Sequence, residues 1–91
     1  MTLLTKEIII INKLGLHARA ATKLAQLSLT FKANITIDLE GKQADASSIM
    51  ALMLLAGAQG KVVKVITQGE DAEAALQSVC QLFTDKFDES E

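Results

Sequence analysis

The segment that constrains this chain most is Ile35-Thr36-Ile37-Asp38-Leu39-Glu40, in which apolar and polar side chains alternate strictly. A period of two is the pattern of a strand with one face on a core and the other in water. Glu40-Gly41 then reads as a hairpin turn that returns the chain through residues 42–46 as a second strand. Alternating strands joined by a hairpin argue for an antiparallel sheet covered by helices on one face, because a parallel, two-sided sheet would make every strand continuously apolar.

The chain has no Pro, no linker and no low-complexity stretch, so glycines and apolar periodicity organise the rest. Ile8-Ile9-Ile10-Ile11 is a β-branched run that reads as a buried strand, ended by the loop Asn12-Lys13-Leu14-Gly15. After Gly15 the period changes. Ala20, Leu24, Leu27 and Phe31 recur at helical spacing, which predicts a first helix over residues 18–29 with that stripe on the core. Asp45-Ala46-Ser47-Ser48 supplies capping side chains for a short, almost wholly apolar second helix over residues 49–55, with Gly57 as its stop. Residues 61–67 form a fourth strand. Gly69 leads into a third helix whose first turn carries Glu70, Asp71 and Glu73, charges suited to a positive helix end. Its inward stripe is Ala72, Leu76, Val79, Cys80 and Phe83, it should end near Lys86, and the acidic tail Asp88-Glu89-Ser90-Glu91 is expected to fray. The element order is β-α-β-β-α-β-α, an α+β arrangement in one domain spanning residues 1–91.

A domain of 91 residues buries roughly 60–65% of its unfolded surface and can fold without staples. Cys80 is the only cysteine, which excludes an internal disulfide and a multi-cysteine metal knot and suits a reducing compartment. The first seven residues lack the pattern of a signal peptide, and the apolar run 49–58 is far short of the roughly 20 residues that span a bilayer. The expectation is a cytoplasmic protein without a membrane anchor. A formal net charge of −2, with three Phe and no Tyr or Trp, offers neither a basic patch nor a stacking platform for nucleic acid.

Chemistry concentrates at Gly15-Leu16-His17-Ala18-Arg19, where the first loop becomes the first helix. His17 is the only histidine. No Ser, Thr, Asp or Asn occupies the junction, so the amides of Ala18, Arg19 and Ala20 are left as an open anion site favoured by the helix dipole. The same positive end disfavours an imidazolium and keeps the ring nucleophilic, while Arg19 can add a forked donor for incoming oxygens. With one His and no paired carboxylates around it, the sequence offers no triad, no metal cluster and no self-sufficient nucleotide site. The chemistry has to be completed by another protein, with no cofactor.

Gly15-Leu16-His17-Ala18-Arg19-Ala20-Ala21 resembles the active-centre signature of the histidine-containing phosphocarrier (HPr) family of the bacterial phosphoenolpyruvate-dependent phosphotransferase system, and the resemblance extends along nearly the whole chain. Asn12-Lys13-Leu14-Gly15, Ser48-Ile49-Met50-Ala51-Leu52-Met53 and Leu82-Phe83-Thr84-Asp85-Lys86-Phe87-Asp88 look most like the family's nitrogen-related branch, NPr. The resemblance implies an open-faced β-sandwich of four antiparallel strands backed by three helices. It implies that His17 accepts a phosphoryl group at Nδ1 from the first enzyme of the system, that Arg19 neutralises the phosphoryl oxygens, and that an EIIA-type protein receives the group. The carrier is then stoichiometric and does not turn over alone. One departure stands out: the family usually has Pro after the arginine, and this chain has Ala20, which fits the same helical turn and restores an amide.

Ile49, Met50 and Met53 form a candidate docking patch for donor and acceptor, with Met giving adaptable contacts; the plainer reading is a core helix. Ser48 falls where some family members carry a regulatory phosphoserine, but is first of all a helix cap. Cys80 reads as a small buried hydrophobe. Two other functions fit the chain: a regulatory interaction module that keeps the fold but carries no phosphate, and a ferredoxin-like small-ligand-binding domain. A monomer is the default state.

Overall fold

The structure, a computed structural model, describes residues 2–90. Strand β1 (Leu3–Ile9) is followed by α1 (Ala18–Ser28), the hairpin β2 (Asn34–Leu39) and β3 (Lys42–Asp45), α2 (Ile49–Leu54), β4 (Val62–Gln68) and α3 (Ala72–Thr84). The strands form one antiparallel sheet in the order β1-β4-β2-β3. The strand latest in the chain thus lies between β1 and β2, pairing Leu3 with Gln68 and Ile9 with Val62 on one side, and Ile35 with Thr67 on the other.

The alternation in β2 is realised as read: Ile35, Ile37 and Leu39 are buried, while Thr36 and Asp38 lie toward the wet face. They meet Val63 and Val65 of β4 and Val79 and Phe83 of α3 in the core. Glu40 and Gly41 both take left-handed backbone angles, φ 54° and 86°, the arrangement whose twist matches a two-residue hairpin. Asp71 ties the sheet's first connection to α3: its carboxylate accepts the backbone N–H groups of Lys32 (2.9 Å) and Ala33 (2.7 Å). The Lys32 bond above all holds that carboxyl below the usual aspartate range.

Several boundaries differ from the sequence reading. β1 begins at Leu3, not Ile8, and is an edge strand whose residues are exposed or half-buried. Ile10 is the residue of the isoleucine run that is fully buried. The buried face of α1 is Ala20, Ala21, Leu24, Ala25 and Ser28, with Leu27 and Phe31 only half-buried against the core. On α3 the fully buried line is Ala72, Ala75, Val79 and Phe83; Leu76 and Cys80 sit at its margin, and burial pushes the Cys80 thiol up.

The tail departs most. α3 ends at Thr84, and Lys86, Phe87 and Asp88 take φ of 55°, 54° and 62°. This left-handed turn reverses the chain and buries Phe87 completely against Phe83, edge to face, with ring centroids 4.8 Å apart. Lys23 of α1 donates to the Phe87 carbonyl at 2.7 Å. Residues 88–90 are therefore folded back over α1 and not frayed; Glu91 lies outside the described residues.

Helix α2 is capped by Ser48, whose Oγ accepts the Ala51 N–H at 3.2 Å. It ends at Leu54, and the left-handed residue that turns the chain away beyond the cap is not Gly57 but the exposed Ala56 (φ 54°). A left-handed alanine costs about 1–2 kcal/mol, whereas glycine there adds only about 0.4–1 kcal/mol of unfolded-state entropy. The Ala56→Gly variant is thus expected to be more stable by about 0.5–1 kcal/mol, read as a higher midpoint in urea with an unchanged slope.

Candidate functional site

The site is built on two loops that dock at one end of the sheet. Ile10 donates to Lys61 O (2.9 Å), Gly60 donates back to Ile10 O (2.8 Å), and Leu16 donates to Gly57 O (2.8 Å). The approach is so close that a Cβ on Gly15, itself at φ +65°, would lie 2.1 Å from the Gly57 carbonyl oxygen. Gly57 is close-packed as well, but more softly: its Cβ would meet the Cδ1 tips of Ile10 (2.9 Å) and Leu16 (3.0 Å), side-chain ends that can shift. Glycine is required at 15 on both counts, backbone angle and space.

Within the first loop, Asn12 is fully buried and closes the turn from inside. Its Nδ2 donates to Gly15 O at 2.9 Å while Gly15 N–H donates to Asn12 O at 3.2 Å. Asn12 Oδ1 is buried without a partner among the described residues. The sequence reading placed Asn12 in the motif but gave it no role.

His17 is the N-cap residue of α1, with extended backbone (φ −76°, ψ 179°) and no side-chain cap bond. Its carbonyl accepts the first helical bond, from Ala21 N–H at 2.9 Å. The N–H groups of Ala18, Arg19 and Ala20 consequently have no acceptor among the described residues, leaving three donors at the positive end of the helix. Arg19 is exposed and lines an open cleft with Lys13, Leu14, Asp88, Glu89 and Ser90. The His17 side chain is about one-quarter exposed.

The folded-back tail brings in a carboxylate that sequence reasoning missed. Glu89 Oε2 lies 2.5 Å from His17 Nε2, and Glu89 Oε1 accepts from Asn12 Nδ2 at 3.1 Å. Burial works to raise the Glu89 carboxyl, but the hydrogen bonds from His17 and Asn12, helped by the electrostatic pull of His17 and then of Arg19, outweigh it and hold it below the usual glutamate range. The surroundings of His17 thus include a carboxylate after all, from 72 residues away along the chain. The available signal was Phe87: one large aromatic amid charged residues has to be buried somewhere, and burying it carries its neighbours inward.

Ile49, Met50 and Met53 are all exposed, Met50 by 75%, and Leu54 joins them at 76%. Leu52 and Leu55 are the residues by which this segment enters the core, so the helix is not simply a core helix. Ser48 is half-buried and capping; the exposed Asp45 beside it, held below its ordinary pKa by the Ser47 backbone and hydroxyl, organises the turn before the helix. No group of three or more metal-ligating side chains converges among the described residues, and no helix there is long and apolar enough to cross a membrane.

Residues 4–85 match the family model described as the PTS HPr component phosphorylation site. The chain is 49% identical over 90 residues to the phosphocarrier protein NPr of Shewanella violacea, covering 99% of each chain, and 46% identical over 87 residues to the phosphocarrier protein HPr of Xylella fastidiosa, covering 96% of this chain and 98% of that one. Among solved structures it is similar to HPr from Thermoanaerobacter tengcongensis, with a TM-score of 0.89 at 38% identity over the whole of both chains.

Because the Gly15 Cβ would strike backbone and not a movable side chain, Gly15→Ala is expected to cost at least about 2 kcal/mol. Gly60→Ala, left-handed at φ +92° but facing open space, should cost only the backbone strain of about 1 kcal/mol. Parallel denaturant titrations of the two variants measure the difference.

Proposed function

Since the chain belongs to the HPr family of phosphotransferase-system phosphocarriers, we propose that it accepts a phosphoryl group on His17 from a nitrogen-branch first enzyme charged by phosphoenolpyruvate, and donates it to a histidine of an EIIA-type protein. The observation that carries this reading is the junction at His17: a partly exposed imidazole at an uncapped helix start, with three N–H groups that have no acceptor among the described residues and Arg19 alongside. The likeness to a protein named NPr supports the branch.

In this reading His17 Nδ1 is the nucleophile. It has no hydrogen-bond partner among the described residues, so its lone pair is open to an incoming phosphorus. The amides of Ala18, Arg19 and Ala20 receive the phosphoryl oxygens, where charge-assisted bonds to fixed dipoles require no reorganisation. Arg19, exposed and at the rim of the cleft, offers a planar fork to the same oxygens. The exposed side chains of Ile49, Met50 and Met53 are the docking patch for both donor and acceptor, and Ser48 serves this helix as its cap. The protein acts in the cytoplasm as a stoichiometric monomeric carrier, with no metal or cofactor of its own.

Incubation with phosphoenolpyruvate and a nitrogen-branch first enzyme should add the mass of one acid-labile phosphoryl group, and His17→Ala should add none. Intact mass spectrometry reads both. If neither the nitrogen-branch nor the sugar-branch enzyme transfers phosphate, the chain is an interaction module that keeps the fold alone, a reading to which Ala20 in place of the family proline lends its support.

Ala20 also gives a rate prediction. Replacing it by proline removes one of the three amides, and a hydrogen bond to a charged group of about 1.5 kcal/mol corresponds to about tenfold faster loss of the phosphoryl group from Ala20→Pro. A phosphate-release time course of the two phosphorylated proteins checks it; a wild type that takes no phosphate where Ala20→Pro does would show instead that Ala20 blocks the site.

A further inference from the structure

We propose that Glu89 is a positioning residue for phosphoryl transfer: its carboxylate holds the proton of His17 on Nε2 and so delivers Nδ1 to the reaction as a free lone pair. This rests on the reading of His17 as the phosphoryl acceptor and adds to it a residue outside the helix start, in the stretch 86–90 beyond the matched family region.

The geometry is specific at both ends of the carboxylate. Oε2 lies against His17 Nε2 at 2.5 Å, and Oε1 takes the Asn12 amide at 3.1 Å. The Glu89 side chain is 9% exposed. Asn12 is rigid in turn, being buried and bonded to Gly15 O, so the carboxylate hangs from the same loop that sets the helix start. The chain reaches this position through three successive left-handed residues, a costly conformation offset by the burial of Phe87 and by Lys23 on its carbonyl.

The chemistry follows from what each group can donate. An ionised carboxylate only accepts, so the nitrogen it touches carries the hydrogen. A neutral imidazole has one N–H; with that on Nε2, Nδ1 is the nucleophile. As Nδ1 bonds to phosphorus, the donor's leaving atom keeps the electron pair of the bond that breaks. The ring retains its Nε2 proton, and its new positive charge lies against Glu89. On transfer to the acceptor, the N–P electrons return to Nδ1 and the ring is neutral again. No proton moves in either direction, and the carboxylate plays the orienting part that a buried acid plays toward histidine in hydrolytic triads.

The test uses the full chain labelled with nitrogen-15 at histidine. Ring nitrogen shifts of the wild type at neutral pH should report the Nε2–H form. Glu89→Ala and Glu89→Gln should move them toward exchange between the two neutral forms, and should slow phosphoryl uptake at saturating donor about tenfold with KM unchanged. Glu73→Gln, an equally conservative change on the exposed first turn of α3 and outside the cleft, should change neither. A wild-type ring protonated on Nδ1, shifts that ignore Glu89, or a Glu73→Gln effect as large as that of the Glu89 variants would each overturn the proposal. If the wild type takes no phosphate at all, the phosphocarrier reading fails separately, and the ring shifts still decide what Glu89 does.

Discussion

The structure depends on β4 arriving between β1 and β2. Until it does, the sheet is a lone hairpin and a detached strand, and neither has enough partners to stand in water. Its insertion has a second effect at its leading end: residues 57–61, which run into β4, are laid against residues 10–16, which run out of β1. The backbone contact between Gly15 and Gly57 is thus a product of sheet order. The open start of α1 inherits its position from that contact, because Leu16, held by Gly57 O, directly precedes His17. A non-local pairing that is slow to form sets the geometry of a site whose residues are nearly consecutive.

What could be read from the sequence is what depends on local periodicity or local chemistry. The alternation at residues 35–39, the Glu40-Gly41 reversal, the start of α1 at Ala18 and the Ser48 cap each follow from a few neighbouring side chains. The misreadings share a different cause. β1 extends to Leu3 through Thr5, Lys6 and Glu7, polar residues admissible there because an edge strand leaves much of itself in water. Ala56 takes the left-handed position beside an available glycine because Gly57 is already committed to a tight contact with Ile10 and Leu16. Which of two adjacent residues pays the backbone cost is decided by packing from another loop, and no local pattern records it.

The candidate site divides in the same way. His17, Arg19 and the three amides are legible because they belong to one helix start. Glu89 and the bonded role of Asn12 are not, since they depend on where a three-residue left-handed turn sends the chain after α3. That turn has no glycine or proline to announce it. It exists because Phe87 finds Phe83 and because Lys23 supplies a donor for the Phe87 carbonyl. A hydrophobic contact at the end of the chain thereby sets the polar surroundings of an imidazole near its beginning.

The folded tail has a practical consequence for handling the protein. Ser90 lines the same cleft as Arg19 and Glu89, so an affinity tag or fusion partner attached beyond it would begin at the rim of the site and crowd any docking protein. Leu3, by contrast, pairs with Gln68 at the far end of β1 from Ile10, a seven-residue strand away or roughly 20 Å of extended chain. Labels, tethers and surface-immobilisation handles belong at that end, where they leave the approach to the imidazole clear.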